Sequence, residues 1–256
     1  MMSKTMKHLW TLIDKNLNKT QENLNVFEKE HHYISRVLRL KPGDSLSITN
    51  GEGLLATGLI KRIDKKQSEI EIFEIKDSLK KELQVELWQA LIKKNPLEDL
   101  VSNISELGVD NIKILKSLVS QSKSEANIEK LQSLCYESLR VNKSPWLCKV
   151  ESKKTLKELI NEERNQHKEK IVILCDELLS AEQSSLSIYK ILEKALLPDI
   201  RKIILVVGCE SGLDIKEKFL LTQSLNAFHA TLGTCILRAP NAAFAAASSV
   251  ISYISK

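Results

Sequence analysis

The chain has 256 residues, 43% of them hydrophobic and 28% charged, with a formal net charge of +5. That size can bury a good core in one large or two modest domains, and the composition is that of an ordinary globular protein. No apolar run reaches the roughly 20 residues of a membrane span, and the first residues, MMSKTMKHLW, lack the apolar centre of a signal peptide. Five cysteines (Cys135, Cys148, Cys175, Cys209 and Cys235) are odd in number and not closely paired. They argue against a disulfide framework or a zinc site, and for reduced thiols in a cytoplasmic protein. The mild positive charge permits nucleic-acid binding only if it clusters on one face.

The first 76 residues read as a small β-rich module. His8–Ile13 is an opening strand, and Glu28–Leu40 a short helix with His31, Ile34, Val37 and Leu38 near helical spacing. Lys41-Pro42-Gly43-Asp44 is a turn, because proline fixes φ and glycine accepts positive φ. Leu46 and Ile48 alternate with serines, Asn50-Gly51 signals a hairpin, and Leu54–Ile63 returns. Ile70, Ile72 and Ile75 sit among acidic residues as in a half-buried strand. So many short strands in this space suggest a barrel. The polar stretch Lys76–Glu82 is the linker.

From 83 to 256 strands alternate with helices, which implies a mostly parallel sheet. Val85–Leu91 is a strand, and Asn95-Pro96 opens a helix carrying Leu97, Leu100, Val101, Ile104 and Leu107 on one face, ended by Gly108. Val109–Leu115 is the next strand, and Ile128, Leu131, Leu134, Cys135 and Leu139 mark another helix. Thr155 and Glu158 have the spacing of a capping box. Ile171–Cys175 is a buried strand, and a helix around Leu186–Leu197 is stopped by Pro198.

The stretch from Ile203 to Ala247 carries the chemistry. Twice an apolar run ends in a glycine turn that opens a helix. Ile203–Val207 stops at Gly208 and Gly212, with Asp214 placed to cap the next helix, and Phe228–Leu232 stops at Gly233, with Pro240 starting an alanine-rich helix. Glycines at strand ends let a ligand approach backbone amides closely, so two such turns side by side would line a pocket with main chain, suited to a nucleotide-like molecule. By itself Gly208-Cys209-Glu210-Ser211-Gly212 also reads as a tight strand-to-helix turn without a ligand. It lacks the Lys-Ser/Thr of a phosphate loop and the spacing of a dinucleotide fingerprint. Asp176-Glu177 follows a strand end and can line a site or cap a helix. His31-His32 is no metal pair, because neighbours on a helix point about 100° apart. Arg36 and Arg39, three apart on that helix, can reach a phosphate backbone together or form a solvated face. Nothing points to a bound metal.

His32–Asp44, Ser105–Val109, Val207–Gly212 and Leu232–Arg238, four segments in order, together resemble the RsmE-type ribosomal RNA methyltransferases, a branch of the SPOUT superfamily. His32-Tyr33-Ile34-Ser35-Arg36-Val37-Leu38-Arg39-Leu40-Lys41-Pro42-Gly43-Asp44 is similar to that family's amino-terminal signature. Ser105-Glu106-Leu107-Gly108-Val109 is similar to its "ELGV" segment, and Val207-Gly208-Cys209-Glu210-Ser211-Gly212 stands where it has "IGPEGG". Leu232-Gly233-Thr234-Cys235-Ile236-Leu237-Arg238 is similar to its "LG-x-R-ILR". The resemblance implies a PUA-like β-barrel RNA-binding domain (1–76) followed by an α/β SPOUT domain (83–256) with a trefoil knot. It further implies a homodimer, S-adenosylmethionine as cofactor, and methylation at N3 of a uridine in small-subunit (16S) ribosomal RNA.

On that reading, the cofactor lies against Cys175, Asp176 and Glu177, against Val207, Gly208, Glu210 and Gly212, and against Leu232, Gly233, Ile236 and Leu237. Arg238 stabilises the charge that develops on the uracil, and Glu210 orients its loop. His32, Arg36, Arg39 and Lys41 contact the ribosomal RNA or small subunit. The chain departs from the family pattern at Cys209 and Ser211, at Cys235, at Ala239-Pro240-Asn241, and at Lys116-Ser117-Leu118-Val119, where an arginine is usual. These changes keep open a second reading, a catalytically impaired RNA-binding or ribosome-assembly protein of the same fold. A third, a different nucleotide-binding α/β enzyme, is opposed by the missing phosphate-loop lysine.

Overall fold

A computed structural model of the chain describes residues 10–120, 125–153, 155–166, 169–176 and 186–255, apart from the side chain at 153. It divides into two compact units, Met1–Lys80 with Leu139–Leu147, and Lys81–Ser138 with Cys148–Lys256.

The first unit is one five-stranded sheet of order β1-β3-β4-β5-β2, from β1 (Thr11–Ile13), β2 (Asn23–Phe27), β3 (Ser45–Thr49), β4 (Leu54–Ile63) and β5 (Gln67–Asp77). β1 runs parallel to β3, and the other pairs are antiparallel. Alternation in β2 buries Leu24 and Val26, which join Leu12, Ile34, Leu46, Ile48, Ile60, Ile70 and Ile72 in the core. Gly43 has φ +94 and Asp44 N–H donates to Lys41 C=O at 3.0 Å, closing the proline-glycine turn. The Asn50-Gly51 connection is wider than a two-residue hairpin. Asn50 Oδ1 accepts from Glu52 N–H (2.8 Å) and Leu54 N–H (3.1 Å), so the side chain shapes a five-residue loop between Thr49 and Leu55.

The helix expected over Glu28–Leu40 is shorter and changes pitch. α1 (Glu28–His32) passes into a π-helical turn, Tyr33–Val37, with Leu38 N–H on Tyr33 C=O at 2.9 Å. His31 and Ile34 stay buried, whereas Val37 is turned outward and exposed, since the extra residue in the turn shifts the helical phase. Arg39 lies beyond the turn with φ +52.

Leu139–Leu147 returns to this first unit, so the stretch 83–256 is not one continuous body. Gly53 N–H donates to Pro145 C=O and Leu147 N–H to Gly51 C=O, at 2.8 and 2.9 Å. Arg140 makes a two-pronged ion pair with Glu30, and its guanidinium carbon is 4.3 Å from the Tyr33 ring centroid.

The second unit is an all-parallel seven-stranded sheet of order β10-β12-β9-β11-β6-β7-β8. Its strands are β6 (Gln84–Ala90), β7 (Asn111–Leu115), β8 (Lys149–Lys153), β9 (Lys170–Cys175), β10 (Leu186–Ser187), β11 (Lys202–Val207) and β12 (Phe228–Thr231). Its helices are α2 (Lys94–Glu106), α3 (Ile128–Asn142), α4 (Leu156–Arg164), α5 (Ile188–Ala195), α6 (Ile215–Leu225) and α7 (Ala239–Ile254), with the end of α3 in the first unit. β11 is buried along its whole length, as a central parallel strand covered on both faces must be. The capping box at α4 is formed, with Glu158 N–H on Thr155 Oγ1 (3.2 Å) and Thr155 N–H on Glu158 Oε2 (3.1 Å). The segment read as a helix from Leu186 begins as β10, and only Ile188–Ala195 is helical.

A buried charge cluster ties α4 to the sheet. Glu163, fully buried, has Oε1 2.8 Å from Lys202 Nζ and 3.7 Å from Lys113 Nζ. Lys113 also pairs with buried Glu86 at 2.8 Å, and Glu86 accepts from the Trp88 indole. Removing one partner from such a cluster leaves an uncompensated buried charge. Glu163→Ala should therefore lower unfolding free energy by about 3–5 kcal/mol. Lys61→Ala, which breaks an exposed pair with Glu71, should cost under about 1 kcal/mol. Denaturant unfolding monitored by circular dichroism checks both, and equal small losses would contradict the assignment.

Candidate active site

Open parallel sheets bind ligands beyond the carboxyl ends of their strands. Here the order β12-β9-β11-β6 sets four such ends side by side, and three of them, after Cys175, Val207 and Thr231, are those expected to line the pocket.

The turn after β11 is closed by its own main chain. Cys209 N–H donates to Gly212 C=O at 3.1 Å, and Gly212 N–H donates back to Cys209 C=O at 2.9 Å. A Cβ on Gly208 would lie 2.5 Å from the Gly212 carbonyl carbon, so only glycine fits there, and Gly212 itself has φ +75. Cys209 stands where the resembled family has proline. Its N–H makes a bond that proline cannot, and its thiol lies 3.3 Å from the same Gly212 oxygen.

Neighbouring elements brace this turn and the helix that follows it. Gln89, at the end of β6 and fully buried, donates from Nε2 to Gly208 C=O (3.0 Å) and to Ala90 C=O (2.8 Å). Its Oε1 has no hydrogen-bond partner among the described residues. Exposed Glu210 accepts from Lys93 N–H at 3.3 Å, at the residue that caps α2. Asp214 caps α6, and Glu217 completes the capping box while also accepting from Ser117 Oγ (2.6 Å) and Leu118 N–H (3.2 Å) in the loop after β7. Asp176 pairs with Lys218, both nearly buried, and its N–H reaches Ala230 C=O at 3.4 Å, joining the end of β9 to β12. Asp176 Oδ1 lies 3.9 Å from where a Gly212 Cβ would be. The Cys175 thiol, buried and beside the Asp176 charge, is pushed up to about 12. Glu177 lies outside the described residues.

The loop after β12 is open where that after β11 is closed. Gly233 has φ +131, and a Cβ there would meet nothing within 4 Å. Leu232 and Leu237 are half-buried, Ile236 is 81% exposed, and Cys235 is exposed. Residues 234–237 make no hydrogen bond among the described residues, so their amides and carbonyls are unspent. Arg238, exposed, is the N-cap of α7 and enters no ion pair among the described residues. No cluster of metal-ligating side chains occurs among the described residues, and none of their helices is long and apolar enough to cross a membrane.

In the first unit His32, Arg36, Arg39 and Lys41 are all exposed. The pitch change separates Arg36 from Arg39, so the two do not share one helical face as the spacing suggested. Gln89, Lys218 and Glu217 were missed as site residues. Asp214-x-x-Glu217 was readable as a capping box, and Gln89 as a polar residue at the end of a buried strand. Lys218 left no sequence signal.

Residues 79–251 match the family described as RNA methyltransferase domain, and residues 28–73 match the RNA methyltransferase PUA domain. The chain belongs to the RNA methyltransferase family. A curated relative, ribosomal RNA small subunit methyltransferase E of Rickettsia conorii, is 28% identical over 222 residues, covering 86% of this chain and 85% of that protein. Two solved structures share the fold at TM-score 0.79. One is a methyltransferase of Legionella pneumophila with bound SAM, 19% identical and covering 97% of this chain and 98% of that one. The other is the ribosomal RNA small subunit methyltransferase E of Neisseria gonorrhoeae bound to S-adenosyl methionine, 17% identical and covering 96% and 98%. The RsmE-type resemblance of the four motifs and the α/β fold with its PUA-like amino-terminal domain are thus borne out.

The thiols give a check on this geometry. Alkylation of the native methyltransferase at mildly alkaline pH should modify exposed Cys235 first and leave Cys175 untouched, because the latter is both buried and protonated. Peptide mass spectrometry reads the order, and early modification of Cys175 would contradict the packing at the end of β9.

Proposed function

We propose that this RNA methyltransferase uses S-adenosylmethionine to methylate N3 of a uridine in small-subunit (16S) ribosomal RNA. The observation that carries the reading is the row of adjacent strand ends at β12, β9 and β11, one closed by the Gly208–Gly212 turn and one open at Gly233. The unspent main chain of 234–237 fits a cofactor recognised through backbone amides and carbonyls, and half-buried Leu232 and Leu237 offer apolar cover to an adenine. The same reading carries Cys175, Asp176, Glu177, Val207, Glu210 and Ile236 as the remaining lining, and a trefoil-knotted carboxyl-terminal chain.

Bound there, S-adenosylmethionine supplies an electrophilic methyl group on a sulfonium. The protein's part is positioning and charge stabilisation. Arg238, a cation at the head of α7 with no ion pair among the described residues, faces the negative charge that grows on the uracil oxygens as N3 loses its proton. Glu210 fixes the β11 loop against the start of α2. RNA contacts the first unit through His32, Arg36, Arg39 and Lys41, all exposed. The protein works as a cytoplasmic homodimer, with half-buried Ala245, exposed Ser249 and exposed Phe244 of α7 offering a surface of short side chains with an apolar anchor. The second reading, a protein of this fold without chemistry, is favoured by Cys235 and Ala239-Pro240-Asn241 standing in the catalytic segment.

Incubation with methyl-labelled S-adenosylmethionine and unmodified small subunits should transfer label to one uridine. Arg238→Ala should lower kcat about 10²-fold or more with cofactor affinity unchanged, the size expected for losing one charge-stabilising donor. Gly208→Ala should abolish cofactor binding by calorimetry while the circular dichroism spectrum persists, because its Cβ cannot coexist with the Gly212 backbone. Cofactor binding without any label transfer would favour the second reading. Sedimentation should give a species of twice the 29.0 kDa chain mass, and a monomer at micromolar concentration would contradict the dimer.

A further inference from the structure

In the first unit His31, Ser35, Arg36, Ile63, Asp64 and Lys65 enclose an open-mouthed cavity of about 450 Å³. One wall is the junction of α1 with the π-helical turn. The other is the tight turn between β4 and β5, closed by Asp64 N–H on Gln67 C=O at 2.8 Å. Arg36, inside the π-helical turn, and His31, in α1 just before it, both line this wall, whereas Arg39, beyond the turn with φ +52, does not.

The cavity's charges do not cancel. Asp64 is held by Arg62, with Nε 2.8 Å from Oδ1. Arg36 and Lys65 are exposed and enter no ion pair among the described residues. The His31 ring is nearly buried and pinned by Nδ1 at 2.8 Å from Ser68 Oγ, which leaves Nε2 as its atom for a ligand. Ser35 Oγ donates to His31 C=O at 2.8 Å, so its lone pairs remain available as acceptors. Two such cations converging on one volume, beside a fixed imidazole and the apolar Ile63 side chain, match a phosphate with an attached base.

We infer that this cavity holds one nucleotide of a single-stranded RNA, its phosphate between Arg36 and Lys65 and its base against Ile63 and His31. The inference rests on the protein acting on RNA. It adds a nucleotide subsite in the first unit, outside the methyl-transfer centre. Lys65 and His31 become RNA contacts, and Arg36 acts with Lys65 rather than with Arg39.

The test is binding of a short fluorescent single-stranded RNA to the full chain and to Arg36→Ala, Lys65→Ala and the double variant, across a salt series. Both residues are exposed, so the thermal midpoint should hold in all three variants. Each single change should weaken binding several-fold, and the double change by less than the product of the two, because the cations share one phosphate. The salt slope should fall by about 0.7, one phosphate's share for a single strand. Normal RNA binding by both single variants would overturn the subsite alone and leave the methyl-transfer reading standing. Independent, fully multiplicative losses would overturn the shared phosphate. Inorganic phosphate displacing the RNA as effectively as a mononucleotide does would mark a free-anion site and overturn the nucleotide. No RNA binding by the unaltered chain would overturn this inference together with the RNA reading beneath it.

Discussion

Contact between the backbones of Gly208 and Gly212 is the constraint on which the site depends. With a would-be Cβ 2.5 Å from a carbonyl carbon, the turn has no tolerance for a side chain at 208, and its two reciprocal hydrogen bonds use the amides of Cys209 and Gly212 on each other. A turn so closed cannot adapt to a ligand by opening, so it has to be preformed. The surrounding groups serve that end. Gln89 spends both amide hydrogens on carbonyls of the strand end and the turn, Glu210 ties the turn to α2, and Glu217 ties the following helix to the loop after β7. Preorganised main chain of this kind costs nothing to rearrange when a ligand arrives. The loop after β12 complements it, with open space at Gly233 and unspent backbone beyond.

The second unit keeps its charges at opposite ends of the sheet. Lys202 begins β11, Glu86 lies near the start of neighbouring β6, and Lys113 stands in the middle of β7, one strand further, so the cluster on Glu163 is centred toward the amino ends. The six residues of β11 then carry the chain about 20 Å to the glycine turn at the other end. Buried charges of this sort hold helix and sheet in one arrangement, and breaking a pair is costly. The cluster is therefore read as structural, while the proposed chemistry lies at the carboxyl ends, where Asp176 is paired with Lys218.

Much of this was legible in the sequence where burial on both sides enforces a pattern. β4 has the bounds its alternation gives, β6, β9 and β11 fall within a residue or two of their apolar runs, and the capping residues Thr155 and Asp214 behave as their spacing demands. The strands left unread, β2, β8 and β10, are all at sheet edges, where one neighbour suffices and few apolar residues are required. β8 offers only Val150, and β10 is two residues long. The pitch change at Tyr33–Val37 was hidden because its residues also suit an α-helix. The return of Leu139–Leu147 to the first unit depends on backbone bonds to Gly51 and Gly53, far away in sequence, which no local pattern encodes. In the site, the glycines were readable because conformational need is a local property. Gln89 stood out only as a polar residue at a strand end and Lys218 not at all, because their roles exist only once β6, β9 and β11 are adjacent.

The central claim is that the cofactor is held by the main chain of two loops, one closed and one open. Hydrogen–deuterium exchange of the native protein with and without S-adenosylmethionine tests it most directly. The account predicts that the amides of 234–237, which have no partner among the described residues, exchange rapidly alone and become protected on cofactor binding, while those of Cys209 and Gly212 are slow in both states. Unchanged exchange across 234–237 under saturating cofactor, or a turn at 208–212 that exchanges freely until the cofactor binds, would contradict it.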